Sequence, residues 1–375
     1  MQKKLFFVVA LFWTPLTFCQ QSGKHSIQVQ LNRNVELLGF VYFLGYEGNQ
    51  SETDLTYSIE KKKRYAYGLS LYQQYKTYKN SKPLSVIVGF AENIWLDYLI
   101  SLLIQLEDFP YARLSNQVDE KYYLRFSPAN DPVEARYNVS LFIDAMNKLY
   151  REVDFDKYFS RYQKKYENAI AQVKNSLPDK RFIPAMENFY GQSMDYYFLI
   201  PSLTIPAGMG FGVKYSLADT TRAFHVFGTF GLQHFADDTD LDMGFNDRTH
   251  LLELSTHEFG HSFVNQAVDK VPEELIAKTE KLFEPIKSAM SNQGYTGWKA
   301  CLYEHFVRAG EVMIARNLGN ISEAERLKIN YIEDRKFVYL PVILEEFEMY
   351  NKSKLYSYTQ TVENAMRKLF KKVSE

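Results

Sequence analysis

The chain has 375 residues, of which 46% are hydrophobic and 24% charged, which excludes a wholly disordered protein and leaves ample material for a core. Its 44 basic and 45 acidic residues give a net charge of -1, without the basic excess typical of nucleic-acid-binding proteins. Two cysteines are too few for a disulfide framework. We therefore expect a globular protein with no nucleic-acid partner.

The first twenty residues have the pattern of a secretory signal peptide. Lys3 and Lys4 give a basic start, and residues 5–16 are largely apolar. This apolar run is shorter than the about 20 residues that a membrane-spanning helix needs. We predict a signal peptide over residues 1–20 and an exported protein, periplasmic or extracellular, with no membrane span in its mature form. Cys19 leaves a lipoprotein as the less favoured alternative.

Hydrophobic periodicity divides the remaining chain into a mainly helical part, residues 21–180, and a mixed part, residues 181–375. We expect both parts to fold as a single domain, residues 21–375. In the first part we predict a strand at 26–31 and helices at 35–44, 57–78, 95–106 and, as one or two long helices, 136–177. In the second part we predict short strands and turns over 196–213, a strand at 224–230, an acidic loop at 236–246 and helices at 251–268, 298–316 and 338–350.

The segment His257-Glu258-Phe259-Gly260-His261 lies within a predicted helix and has the His-Glu-x-x-His pattern. Residues four apart lie one above the other on a helix face, so both imidazoles can reach one zinc ion. Glu258 then lies beside the metal, where its carboxylate can take a proton from a zinc-bound water. We predict His257 and His261 as Zn²⁺ ligands and Glu258 as the catalytic base. The alternative is a surface helix on which two histidines happen to be spaced by four.

The helix predicted at 298–316 supplies candidates for the third protein ligand that a catalytic zinc site usually has. Most of its circumference is apolar, yet Glu304, Arg308 and Glu311 form one charged stripe. Because buried charges must pair or bind metal, we predict Glu304 as the third Zn²⁺ ligand, with Arg308 as its partner one turn on. Two alternatives stay open: a Glu304–Arg308 pair that only stabilises the helix, and His305 as the ligand.

These residues resemble the gluzincin class of zinc metallopeptidases, in which two motif histidines and a downstream glutamate hold zinc. More narrowly, the sequence is similar to an uncharacterised family of secreted bacterial zincin-like proteins, domain of unknown function 4932. The matching segments are Val35–Phe40, His257–Asn265 and Tyr303–Arg308. The resemblance implies a mainly helical α+β fold, with a zincin-like core of a small sheet, an active-site helix and helical additions. It also implies the ligand and base roles given above, but no substrate.

The resemblance further implies a strand that lies alongside the substrate with its edge exposed, to which a peptide could add through main-chain hydrogen bonds. The strand predicted at 224–230 is in the right place for this role. A donor that stabilises the transition state is expected as well. Tyr331, Tyr339 and His225 are candidates, although each is more often structural in a chain with 28 tyrosines.

Three functions are compatible with these observations. The first is a secreted zinc metallopeptidase that hydrolyses a peptide or protein substrate. The second is a zinc-dependent hydrolase of a non-peptide substrate, because the same chemistry attacks other carbonyls. The third is a non-catalytic exported relative, against which Glu258 argues, since a structural zinc site needs no carboxylate beside its ligands.

Overall fold

The computed structural model describes residues 25–53, 66–217 and 219–373, so the expected signal peptide lies outside the described residues. The first part of the described chain is helical apart from one short strand. Its elements are β1 (Ile27–Val29), α1 (Arg33–Tyr42), α2 (Gly48–Thr53), α3 (Ala66–Tyr75), α4 (Lys82–Ala91), α5 (Leu96–Leu103), α6 (Pro132–Glu152), α7 (Phe155–Asn175) and α8 (Phe182–Tyr190). A π-helical stretch, Phe43–Glu47, joins α1 to α2.

The second part contains three strands followed by helices. Its elements are β2 (Tyr196–Pro201), β3 (Gly210–Leu217), β4 (Thr220–Phe227), α9 (Arg248–Asp269), α10 (Glu273–Thr279), α11 (Lys287–Ser291), α12 (Trp298–Asn317), α13 (Ile321–Ile329), α14 (Leu340–Ser353) and α15 (Tyr358–Lys372). A π-helical stretch, Asn330–Asp334, follows α13. Short 3₁₀ turns lie at Lys76–Tyr78, Glu120–Tyr122, Leu124–Phe126, Glu280–Leu282 and Glu284–Ile286.

The predicted mainly helical α+β fold with a small sheet is confirmed. The long helical region predicted at 136–177 is two helices, because Asp154 adopts a left-handed conformation, with φ of 50°, between α6 and α7. Residues 57–65 of the helix predicted at 57–78 lie outside the described residues. The helices that were not predicted are α2, α4, α8, α10, α11, α13 and α15, since most are short or lack a long apolar run.

The four strands form one mixed sheet in the order β1-β2-β4-β3. β1 and β4 run parallel to β2, and β3 runs antiparallel to β4. The prediction that residues 224–230 form the exposed edge strand is therefore wrong: they belong largely to β4, which lies between two partners. The continuous burial of Ala223–Phe227 is typical of a central strand, whereas the half-buried, glycine-containing β3 forms the edge.

Helices α9 and α12 pack against each other, and β3 and β4 lie against α9. α9 begins earlier than predicted because Asp247 caps it, its side chain accepting a hydrogen bond from the His250 backbone N–H at 2.9 Å. The first turn of α9 is polar and gave no hydrophobic signal. Within the described residues, no single helix is long and apolar enough to cross a membrane, and one pair, α4 and α5, meets that test together but is bent by 116°.

Candidate metal centre

Three predicted side chains converge between α9 and α12. His257 and His261 lie one turn apart on α9, and their Nε2 atoms are 3.3 Å apart. Glu304 reaches them from α12, with Oε1 3.2 Å from His261 Nε2 and Oε2 3.6 Å from His257 Nε2. Helical spacing brings the two histidines together, and the packing of α12 on α9 brings the carboxylate to them.

The separations of these atoms fit a metal ion. A tetrahedral zinc ion with bonds of about 2.1 Å holds its ligand atoms roughly 3.4 Å apart. The histidine nitrogens are 3.3 Å apart, and each lies 3.2 or 3.6 Å from a different oxygen of Glu304. With one ligand atom taken from each residue, all three lie within 4.8 Å of one another. His257 and Glu304 are buried and His261 is half-buried, so the group could hold a metal ion with little exposure to water.

The other ring nitrogen of each histidine has its own partner. His257 Nδ1 lies 2.6 Å from Glu311 Oε1, and His261 Nδ1 lies 3.1 Å from Asn265 Oδ1. An acceptor at Nδ1 favours the tautomer in which Nε2 carries the free lone pair, and it fixes the orientation of the ring. Both histidines are thus held with Nε2 facing Glu304.

Arg308 lies between the two buried glutamates of α12. Its guanidinium donates to Glu304 Oε2 at 3.4 Å and to Glu311 Oε1 at 3.2 Å. It also lies 4.9 Å from the centre of the Tyr331 ring, and the Tyr331 hydroxyl donates to Glu311 Oε2. The predicted pairing of Arg308 with Glu304 is present, and Arg308 also donates a hydrogen bond to Glu311.

The charges of this network decide the pKa values of its carboxyl groups. Burial alone would raise the pKa of Glu304, but His257, His261 and Arg308 together hold it well below its ordinary value. The pKa of Glu311 is lowered in the same way by Arg308 and His257 against the effect of burial. Burial would lower the pKa of His261, but the hydrogen bond and charge of Glu304 raise it to about 9. The two buried carboxylates are therefore held ionised beside the histidines.

Glu258 lies next to the edge strand. A Cβ atom at Gly210 would lie 3.0 Å from Glu258 Oε1, and one at Gly212 would lie 2.2 Å from the Glu258 backbone oxygen. Glycine at these two positions therefore lets β3 approach α9 where the motif glutamate projects. Glu258 is 7% exposed, and burial raises the pKa of its carboxyl group even though His257 and His261 oppose the shift.

His305 is a core residue and lies outside the converging group. Its side chain is fully buried, its Nδ1 lies 2.9 Å from the Cys301 carbonyl oxygen, and its ring packs 4.8 Å from that of Phe337. Burial lowers its pKa to about 4, which is typical of a neutral histidine in an apolar environment. The structure thus brings Glu304, and not His305, to the two motif histidines.

The three candidate transition-state donors are engaged elsewhere. The Tyr331 hydroxyl is bound to Glu311, and the Tyr339 hydroxyl donates to the Leu282 carbonyl oxygen at 2.6 Å. His225 is fully buried, with Nδ1 3.2 Å from Ser255 Oγ. Each of these contacts engages one polar atom of the candidate within the protein.

Sequence reasoning missed the contacts of Glu311 and Asn265 with the motif histidines, and it did not single out Tyr295, which lies close enough to Glu304 and Arg308 for their charges to act on it. Glu311 was assigned to the charged stripe of α12 but not to His257. Asn265 could have been found, because it lies four residues after His261 on the same helix face. Tyr295 precedes α12 in an irregular segment and carries no motif. It is half-buried, and burial and the charge of Glu304 raise its pKa while Arg308 opposes the shift.

A cavity of about 460 Å³ lies between the first half of α9 and the second half of α12. Glu311 and Thr256 line it, but His257, His261 and Glu304 do not. The cavity is therefore separate from the converging group and meets the network only at Glu311.

A family model with the description Domain of unknown function (DUF4932) matches residues 113–361, about two thirds of the chain. The match includes all three converging residues, Glu258 and the edge strand. No curated protein and no solved structure matches the chain.

Proposed function

We propose that the chain, which belongs to the DUF4932 family, is an exported zinc metallopeptidase that hydrolyses peptide or protein substrates. One observation carries the proposal: two histidines and a glutamate converge at separations that suit zinc, with a further buried glutamate adjacent in sequence. A structural site would have no use for that fourth side chain. The nitrogen and oxygen donors favour Zn²⁺ over cations that prefer six or more oxygen ligands.

His257, His261 and Glu304 would hold the zinc ion. When bound, zinc acts as a Lewis acid that lowers the pKa of a water molecule and polarises a carbonyl group. Glu258 then accepts the proton of the attacking water at its carboxylate and can deliver it to the leaving amine. Burial raises the pKa of this carboxyl group, which favours its ability to hold a proton between the two transfers.

The edge strand favours a peptide as the substrate. Among the described strands β3 pairs with β4 alone, and Glu258 lies against the face of β3 at Gly210 and Gly212. An extended peptide can pair with such an edge through main-chain hydrogen bonds, which would align its carbonyl groups along the site. This role replaces the one predicted for residues 224–230.

The test begins with zinc content, measured by elemental mass spectrometry on the purified mature protein beside His257→Ala and Glu304→Ala. We expect one zinc ion per chain, lost or severely weakened in both variants. Zinc retained in Glu304→Ala would show that another residue is the third ligand. A wild-type protein without zinc after reconstitution would contradict the proposal and favour a non-catalytic relative. A peptide-library screen follows, and an intact zinc site with no peptide cleavage would favour the non-peptide hydrolase.

A further inference from the structure

The outer edge of β3 presents backbone groups at alternate residues. Met209 faces β4, because its carbonyl oxygen accepts from the Gly228 N–H at 3.0 Å. Since an antiparallel ladder alternates, Gly210, Gly212 and Lys214 direct their N–H and C=O groups to the open edge. Gly210 and Gly212 are the positions beside Glu258, so a peptide paired there would lie across the site.

The open edge ends at Lys214. The Tyr122 hydroxyl donates to the Lys214 carbonyl oxygen at 2.7 Å and occupies the edge at that residue. Lys214 lies two residues beyond Gly212, about 7 Å further along the strand. A peptide that pairs with the glycines therefore meets Lys214 about two residues from the bond that is cleaved.

The Lys214 side chain lies on the same face of β3 as Glu258 and has no counter-ion among the described residues. Its Nζ atom donates to the Ser262 carbonyl oxygen at 3.2 Å and to Gln266 Oε1 at 3.0 Å, and both acceptors are neutral. An ammonium group has three donors, so one N–H is left. A half-buried ammonium without a carboxylate is unusual, since buried charges are normally paired.

Two neighbouring lysines make the surroundings of Lys214 more positive. Lys270 forms no ion pair within the described residues, and Lys121 has one with the exposed Asp119 at 3.3 Å. Burial and the charges of Lys270 and Lys121 lower the pKa of Lys214 to about 8, so its ammonium form predominates at neutral pH. Asp269, which precedes Lys270 in sequence, does not neutralise these lysines, because it is already paired with Lys299 at 2.6 Å. An anion at Lys214 would relieve the repulsion among these lysines.

We propose that Lys214 is a specificity residue that binds a carboxylate of the peptide substrate, so that cleavage occurs about two residues from an acidic group. The inference rests on the proposed peptidase function. The carboxylate belongs either to an Asp or Glu side chain or to the free carboxyl terminus of the peptide. In either case the unused N–H of Lys214 donates a charge-assisted hydrogen bond.

The experiment uses the zinc-loaded full chain and a pool of synthetic peptides with randomised sequences, supplied with free and with amidated carboxyl termini. Products are identified by mass spectrometry. One expected result is an enrichment of Asp and Glu at a single position about two residues from the cleaved bond. The other is cleavage close to the free carboxyl terminus, which amidation of that terminus abolishes. The first result assigns the carboxylate to a side chain and the second to the terminus.

Two variants and a control test the residue itself. Lys214→Met should reduce the preference for the acidic group roughly tenfold, the effect of one charged hydrogen bond, and Lys214→Arg should restore part of it. Lys328→Met on α13 removes a comparable lysine, paired with Glu325 at 3.2 Å, and should leave the preference unchanged. Thermal unfolding of each variant separates loss of the fold from loss of the preference.

The outcomes distinguish this inference from the proposed function. Cleavage by the wild type without acidic enrichment, or an unchanged preference in Lys214→Met, overturns the role of Lys214 and leaves the peptidase standing. No cleavage of any peptide by zinc-loaded protein overturns the peptidase and the inference with it. Binding to zinc-loaded Glu258→Gln gives a check without turnover: equal affinity for an acidic peptide and its amide counterpart contradicts the inference.

Discussion

The candidate metal centre and a second polar cluster around Glu36 each bury carboxyl groups inside the helical core. In the metal centre, Arg308 and the two histidines lie against Glu304 and Glu311, and both carboxyl groups have lowered pKa values. Around Glu36 no cation is present in the described residues. Burial raises its pKa to about 7, although hydroxyl groups donate to it. Hydrogen bonds alone therefore do not compensate for the desolvation of a carboxylate here, whereas opposite charges do.

The Glu36 cluster is a chain of hydroxyl groups. Tyr166 donates to Glu36 Oε2 at 2.8 Å and Thr204 at 3.2 Å. The Tyr166 hydroxyl lies 2.7 Å from that of Tyr158, which lies 3.2 Å from that of Tyr67. Thr204 belongs to the segment that leads from β2 to β3, so the cluster fixes α1 and α7 to the loop before the edge strand. None of these contacts involves the three residues that could hold a metal ion.

Glu258 gives the sharpest test of the contrast between the charged cluster and the hydroxyl cluster. It lies among charged groups, yet the pKa of its carboxyl group is raised, as is that of Glu36. Glu258→Gln keeps the shape of the side chain and removes the base. We expect peptidase activity to fall by a factor of about 10² to 10⁴, the usual contribution of a general base, with one zinc ion retained. Rate and metal content are measured on the same preparation. Loss of zinc in this variant would show that Glu258 acts in the metal site rather than as the base.

Glu311→Gln tests whether the charged network orients the metal ligands. The change removes the charged acceptor of His257 Nδ1 and one of the two carboxylates of Arg308. We expect zinc affinity to fall about 10- to 100-fold, as is typical for partners of metal-binding histidines. Competition with a chelator measures the affinity. Glu346→Gln is the control, because Glu346 is also buried but pairs with Lys368 at 2.6 Å on other helices, and it should leave zinc affinity unchanged.

The Glu311 prediction fails if the variant binds zinc as tightly as the wild type while remaining folded. That result would mean that packing alone holds His257, and the contrast between the two clusters would then concern pKa values only.

Glu36→Gln tests the opposite cluster through the pH dependence of stability. The folded pKa of about 7 lies above the ordinary value of 4.5, so the folded state binds the proton more tightly. The contribution of Glu36 is therefore fully present below pH ~4.5 and is lost as the pH rises through ~7. Between pH 5 and 8 we expect the wild type to lose about 2 to 3 kcal/mol of unfolding free energy that the variant keeps.

Urea unfolding of both proteins at pH 5, 7 and 8 measures this difference. Glu52→Gln is the control, because Lys76 and Tyr72 lower the pKa of the Glu52 carboxyl, and its pH dependence should match that of the wild type. Parallel curves for Glu36→Gln and the wild type would show that the Glu36 carboxyl group is not held protonated in the folded protein.

The two clusters also differ in how far the sequence could predict them. The histidines lie four residues apart on one helix, and the stripe of Glu304 and Arg308 lies on another, so local periodicity was enough to select these residues. Glu36 sits in an apolar run, and its partners Tyr166 and Thr204 lie 130 and 168 positions away. No local pattern indicates such contacts. The edge strand was misplaced for the same reason, because strand order depends on long-range pairing.

Asn265→Ala has the smallest expected effect. It compares the neutral partner of His261 with the charged partner of His257 within the candidate metal centre. Asn265 supports His261 as Glu311 supports His257, but it is neutral and half-buried. A neutral hydrogen bond contributes about 0.5 to 1.5 kcal/mol, so we expect zinc affinity to fall only a few-fold to roughly tenfold. Asn265→Asp should instead keep or increase the affinity, because it supplies a charged acceptor like that of Glu311. Chelator competition on both variants decides the matter: if Asn265→Ala weakens zinc binding as much as Glu311→Gln does, the charge of the partner is irrelevant and its geometry alone orients the ligands.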